Sequence, residues 1–573
     1  MNKTCKQCEK EFEVADWDIE FLRKLSPTFD GKQFLIPSPT LCPDCRRQRR
    51  MVWRNNQFLF SRKCDLCAKD IISTYSTSKP FKVYCADCWW SDKWSPIDYG
   101  RDFNPEKSFF EQMAELIKNV PRIALMNKNP ENSDYCNYAG NNKNCYLAVA
   151  GSWNNENCLY GFRMSHSKDC VDCFSIEKGE LCYQIFSCHD IYHCFYCNFC
   201  SDCSECYFSV DLKGCDHCIF SNNLRNKSYY AFNKPCTKEE FEKLAAKISD
   251  TEDLNRMEEK FKEIAKSSIY RPMKLDNCEN CEGDDLLNSK NAKEAYYAFG
   301  LEDVKYFLIG EDTKDSMDCS ATGVGGCQLF YESMSSGVEG YNNLFTNGNW
   351  TCSNTYYCET IFNSKNCFGC VNLRKEENCI LNKKYTSEEY EKKVAEIIEQ
   401  MQSTGEWGEF FPVKLGPYGY NETFAQNFHP LSKEQALELG AEWQEDELTP
   451  SYPGPFLEVR SNIDDYINNP VLANEVVKGA IKCESTGKPF RIMPQEMAFY
   501  LKTKIALPKK HYNARFDERL SIGTPRKLWE RECMCEQQGH GHDGKCSNKF
   551  KTSFSPDGPE KVYCESCYQK AVL

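Results

Sequence analysis

At 573 residues the chain is long enough for three to five domains, since compact domains run about 100 to 200 residues each. Charged residues make up 27% of it and the mean hydropathy is -0.64, and no apolar run approaches the roughly 18 residues of a membrane helix, so a helical membrane protein is not expected. The net charge of -13 argues against attraction of nucleic acid by the whole surface and leaves local basic patches to be considered.

The chain opens MNKTCKQCEKEFEV, with neither an apolar segment nor a small-residue cleavage site, and a cytoplasmic location is expected. In a reducing cytosol its 38 cysteines read as metal ligands and buried thiols rather than as a disulfide framework. Four thiolates in two C-x2-C knuckles meet the tetrahedral demand of zinc, and the N-terminal region offers two such sets. Cys5 and Cys8 pair with Cys42 and Cys45 in a knuckle module over 1–62, and Cys64 and Cys67 pair with Cys85 and Cys88 in a zinc ribbon over 63–99. Between the ribbon's knuckles, KDIISTYSTSKPFKVY reads as two short strands around a turn. A connecting helix follows within 100–134, where Phe109, Phe110, Met113, Leu116 and Ile117 recur at helical spacing and could cover the first coil of what comes next.

Cys158, Cys170, Cys182, Cys194, Cys206 and Cys218 are spaced by twelve without a break. Within each twelve every third residue is small or apolar, so this set is expected to line a narrow interior in which reduced cysteine packs as a small hydrophobe. The reading is a short-coil β-solenoid over 135–270, with Tyr146, Tyr160, Tyr183, Tyr196, Phe208 and Phe220 on its outside. Its geometry resembles the twelve-residue β-helix of some insect antifreeze proteins, although the ranks of threonine used there on ice have no counterpart here. A second, weaker copy lies at 271–402: NLRNKSYYAFNKPCTKEEFEKLAAKI, from Asn223, aligns with NLRKEENCILNKKYTSEEYEKKVAEII, from Asn372. Both copies end in a capping box, Thr237 with Glu240 and Thr386 with Glu389, which should start helices that terminate each stack.

An aromatic, turn-rich region and linker occupy 403–475, with a short helix expected at the capping box of Ser432 and Gln435 and a linker at LTPSYPGPFLEV. The two N-terminal modules then recur. At 476–532 the ligand places hold Cys483, Thr486, His511 and Ala514, so this degenerate module is expected to have lost its metal. At 533–573 a second ribbon keeps Cys546, Cys564 and Cys567, and its first knuckle is opened by the insert MCEQQGHGHDGK. Register favours Cys533 as the fourth ligand, with Cys535, His540 and His542 as alternatives. The expected cofactor is Zn2+, about three ions per chain.

The order of parts, with CDLC, VYCADCWW, DYGRDF, NNKNCYL, NCLYG, DCVDCF, the NLRNK segment and VYCESCY, resembles an uncharacterised family of cysteine-rich zinc-ribbon proteins from candidate-phyla bacteria. That resemblance implies zinc at the knuckle cysteines and brings no activity with it. The chain shows no phosphate-cradling glycine loop, no GxSxG elbow and no HExxH helix, and nothing in its motifs points to catalysis. Residues 42–63 hold seven basic residues against one acidic, and 502–531 hold nine against three. RNA or DNA binding is therefore expected through Arg46, Arg47, Arg49 and Arg50, and through Lys509, Lys510, Arg515 and Arg519. A scaffold that docks protein partners on the solenoid is the alternative. A metal-cluster or redox protein is the third reading, prompted by CFYCNFCSDCSEC, whose spacing of three is inherited from the repeat.

Overall fold

The computed structural model describes residues 1–445 and 452–573, so the first four residues of LTPSYPGPFLEV lie outside the described residues. The fold is mainly β with helices and several separate sheets. Its regularity begins in the backbone. From Asn157 to Phe232 every third residue has a φ between +49° and +63°, and with the exception of Gly214 all of them carry side chains. The left-handed conformation costs an L-residue about 1–2 kcal/mol, so such a run persists only where each corner is held by its neighbours.

The holding is done by parallel pairing. Val171 lies beside Tyr183, Tyr183 beside Phe195, Phe195 beside Tyr207 and Tyr207 beside Ile219, so the period of twelve in the sequence is the register of the ladder. Asparagine, which tolerates the left-handed region, adds side-chain ladders at the corners: Asn132, Asn144, Asn157 and Asp169 are joined at 2.9, 3.2 and 2.9 Å. The residue after each left-handed corner faces inward, which places Cys158, Met164, Cys170, Cys173, Ile176, Cys182, Cys194 and Cys206 in one buried cluster. The buried thiols donate to main-chain carbonyls, as Cys170 does to Lys168 at 3.2 Å and Cys194 to Tyr192 at 3.4 Å. A small apolar side chain with one weak donor suits that place. None of the 38 cysteines is in a disulfide.

Two sheets are built this way, one of twelve strands between Asn127 and Pro235 and one of eleven between Leu275 and Lys384. In the second, Ala292, Ala295, Ala298, Leu301, Val304 and Phe307 replace much of the interior cysteine. Its register also slips, from twelve to fourteen between Lys314 and Gln328 and to thirteen between Gln328 and Tyr341, before returning to twelve at Ser353. The two extra residues of the first step sit in TGVGG, where a Cβ on Gly323 would meet the Glu311 carbonyl oxygen at 2.0 Å, and that of the second lies between Met334 and Tyr341, where Val338 and Glu339 are both left-handed.

Contacts divide the chain into two compact units, and the division does not follow chain order. One unit joins Met1–Leu125 to Leu275–Glu445, and the other joins Met126–Lys274 to the C-terminal residues. The N-terminal modules thus belong with the second sheet, and the C-terminal modules with the first. The helix Phe109–Asn119 forms as its periodicity predicts, but it packs Phe109 on Tyr357 and Phe368, both at 5.4 Å, and so lies on the second sheet, not the first. The capping boxes at Thr237 and Thr386 start Lys238–Ala245 and Ser387–Thr404. The open edge of each ladder is also met by a reversal of the chain: Lys234–Pro235 and Lys383–Lys384 pair antiparallel with the last parallel strand. Two helices, Asp464–Ile467 and Pro470–Lys478, occupy part of what reads in sequence as linker. The aromatic rank expected outside the first sheet is covered. Tyr160 stacks on Tyr512, Tyr183 meets Tyr500, and Phe208 meets Phe261.

Candidate metal centres and the basic helices beside them

Three groups of four cysteines bring their sulfurs within 4.8 Å of one another: Cys5, Cys8, Cys42 and Cys45; Cys64, Cys67, Cys85 and Cys88; and Cys533, Cys546, Cys564 and Cys567. These are sets that could hold metal ions. Each is assembled the same way. A two-stranded hairpin carries the first pair of sulfurs at its end, as Phe60–Lys63 with Asp70–Ser73 and Trp529–Glu532 with Lys549–Thr552. The second pair begins at a helix N-terminus, since Cys42, Cys85 and Cys564 precede the helices Pro43–Met51, Ala86–Trp90 and Glu565–Val572. Free N–H groups and the helix dipole favour a thiolate there. Backbone N–H groups also point at sulfur: Cys85 donates to Cys64 at 3.3 Å and Cys564 to Cys533 at 3.1 Å. A hydrogen bond from Cys45 is the main cause that pulls the Cys42 thiol down to about 5. The segment KDIISTYSTSKPFKVY does not pair with itself; Val83–Tyr84 runs beside Arg122–Ile123 instead.

The fourth member of the C-terminal set is Cys533, as register favours. The alternatives Cys535, His540 and His542 are not scattered: they form a further group with Cys567. In the degenerate module the Cys483 sulfur meets Ser485 Oγ at 3.3 Å and accepts from the His511 N–H at 3.2 Å, while His511 Nδ1 accepts from the Asn513 N–H. Burial holds that imidazole down at about 4 and hence neutral.

The arginines expected to meet phosphate are elsewhere engaged. Arg46, Arg49 and Arg50 are 3%, 8% and 0% exposed. Arg46 and Arg50 reach the buried carboxylate of Asp318 at 2.8 and 3.2 Å, Arg49 and Arg50 reach Glu332 at 3.0 and 2.8 Å, and Arg49 also reaches Glu409. Arg47, half-buried, pairs with Asp44. In the other unit Arg515 and Arg519 close on the buried Asp172, both at 2.8 Å, with Arg515 also on Glu496 and Arg519 on Gln184. Lys510 pairs with Glu518, and Lys509 is half-buried. Arg46, Arg49, Arg50, Arg515 and Arg519 are buried against carboxylates, where no phosphate reaches them, so the nucleic-acid contacts expected of these five arginines are corrected: they are internal ties.

The ties are duplicated. Arg46 follows Cys45 and Arg515 follows Ala514, the equivalent place, and in each module a second arginine stands four residues on, on the same helix face. Asp318 and Asp172 are both left-handed corners before an interior cysteine. Arg46 lies over Tyr306 at 5.2 Å and Arg515 over Tyr160 at 5.3 Å. A second tie joins each ribbon to its sheet: Arg374 lies over Trp89 at 5.3 Å, and Arg225 over Tyr568 at 5.9 Å. These two arginines occupy the same place in the repeated NLR motif, which is the signal that could have revealed them.

No family model matches this chain, and no curated protein matches it. Among solved structures, one described as an acetyltransferase from Desulfovibrio desulfuricans G20 matches with 8% identity over 42% of this chain and 64% of that one, at a TM-score of 0.11, which carries no argument.

Proposed function

We propose that this protein is a non-catalytic scaffold of two β-solenoids, each tied to zinc-binding modules, that presents its ladder faces to protein partners. The observation that carries the reading is the twice-built arginine tie, in which a helix fixed next to a cysteine knuckle, or next to its degenerate copy, inserts two guanidinium groups onto one buried solenoid aspartate. The twelve-residue parallel register and the unbroken left-handed corners support the solenoid. Three sets of four sulfurs support three structural zinc ions, because a closed tetrathiolate leaves no open position for chemistry. Glu131, Lys143, Glu156 and Lys168 bridge in parallel as an alternating charge row that is mostly exposed, a part of the ladder left open to solvent. Affinity capture of the tagged full-length chain after nuclease treatment should retain protein partners, and the purified protein should show no salt-sensitive affinity for RNA or DNA at micromolar concentration. Salt-sensitive binding of nucleic acid there would overturn the scaffold reading.

A further inference from the structure

We propose that the C-terminal ribbon is a two-metal centre in which the Cys567 thiolate bridges two ions. One ion takes Cys533, Cys546, Cys564 and Cys567, and the other takes Cys535, His540, His542 and Cys567. The proposal rests on the reading of the first set as a metal site and adds a second ion beside it.

In both sets of four the ligand atoms lie within 4.8 Å of one another, and Cys567 belongs to both. The second set is already drawn close. Cys535 Sγ is 3.2 Å from His540 Nδ1, and Cys567 Sγ is 3.4 Å from His542 Nε2. Atoms sharing one tetrahedral zinc with bonds of about 2.0–2.3 Å sit roughly 3.3–3.8 Å apart. The His542 ring is also oriented: its Nδ1 meets the Gly544 carbonyl at 2.8 Å, which fixes the proton on Nδ1 and leaves the Nε2 lone pair toward Cys567. A carbonyl behind a ligating imidazole is the usual outer contact of a metal-bound histidine. Gly541, at φ +86°, separates the two histidines and turns the chain so that i and i+2 face the same centre. Cys535 is fully buried and has no place in the first set.

Charge points the same way. A lone zinc with four thiolates carries two negative charges, whereas two zinc ions with five thiolates and two neutral imidazoles carry one. Loading releases the thiol protons to solvent. The N-terminal ribbon, with its plain CDLC knuckle, has no counterpart to the insert that supplies Cys535, His540 and His542.

Native mass spectrometry of the full chain loaded with Zn2+ should show four ions. His540→Ala/His542→Ala and, separately, Cys535→Ala should each show three, with the ribbon still folded on its remaining four sulfurs. With cadmium-113, the wild-type chain should show two coupled resonances joined through one sulfur, and the histidine variant should lose the coupling. A wild-type count of three that neither variant lowers, or a count of four that both leave unchanged, would overturn the second ion. Cys85→Ser separates the two readings: it should lower the count by one whatever happens at the C-terminal ribbon, and its failure to do so contradicts the tetrathiolate assignment itself.

Discussion

Asp172→Ala is expected to destabilise its unit by about 3–5 kcal/mol, measured as the shift of the urea unfolding midpoint at constant slope. Asp172 is fully buried between Arg515 and Arg519, and removing it takes away the carboxylate in direct contact with Arg519, leaving the neutral Gln184 amide as its hydrogen-bond partner and Asp517 as a nearby charge. The cost is mainly that of an uncompensated buried cation, not the worth of the pair. Asp172→Ala combined with Arg519→Met should therefore recover part of the loss, because the stranded cation and its desolvation penalty are removed together, although the smaller pair leaves some space unfilled. Arg47→Ala is the matched control: its partner Asp44 lies on the same helix and is solvent-exposed, so a change of at most about 1 kcal/mol is expected. If the double variant is no more stable than Asp172→Ala alone, the tie is not the reason these helices stay on the sheet.

Cys194→Glu should prevent folding of the twelve-stranded sheet, with a loss of roughly 4 kcal/mol or more, read by circular dichroism and by loss of the cooperative transition. Cys194 is fully buried at the middle of the interior row. Burial pushes its thiol well above the usual range, so the side chain there is a neutral donor, to the carbonyls of Tyr192 at 3.4 Å and Cys203 at 3.7 Å. A carboxylate would bring charge and volume to a fully buried place walled by neighbouring thiols and aliphatic side chains. Cys194→Ser keeps a small donor aimed at the same carbonyls and should cost about 1–2 kcal/mol. A folded Cys194→Glu protein with wild-type stability would mean that this row does not face an interior.

What the sequence made legible and what it concealed follow from how far each interaction reaches along the chain. The knuckles are local and chemically loud: CKQC with CPDC and CDLC with CADC name the two groups of four sulfurs that the fold brings together. The period of twelve is equally local, and it fixed the interior cysteines correctly. The left-handed corners were hidden because Tyr160, Leu181 and Phe208 are residue types that avoid positive φ, and only the ladder above and below holds them there. The arginines were misread for a related reason. A run such as RRQRR next to a rigid knuckle looks exposed until its carboxylate partners are known, and Asp318 and Glu332 stand 268 to 283 residues further on. Nothing local singles those acids out: Asp318 and Asp172 stand immediately before a cysteine of the interior row, in MDC and VDC, but so do Asp169 and Asp202, which are not buried. The pairing of N-terminal modules with the second sheet was not legible at all, since chain order suggests the reverse.

The measurement that tests the account most directly is alkylation of the native full-length chain, with and without a zinc chelator, mapped to individual cysteines by mass spectrometry. The account predicts three behaviours. Cys158, Cys170, Cys182, Cys194 and Cys206 should stay unlabelled in both conditions and react only in denaturant, because they are fully buried in the interior row of the twelve-stranded sheet. Cys8, Cys67 and Cys88 should be protected until the chelator removes the ion, although Cys67 is exposed and Cys8 half-buried. Cys236 and Cys278, half-buried and in no ligand set, should label from the start. Rapid native labelling of the interior row, or labelling of the exposed Cys67 that is indifferent to the chelator, would contradict it.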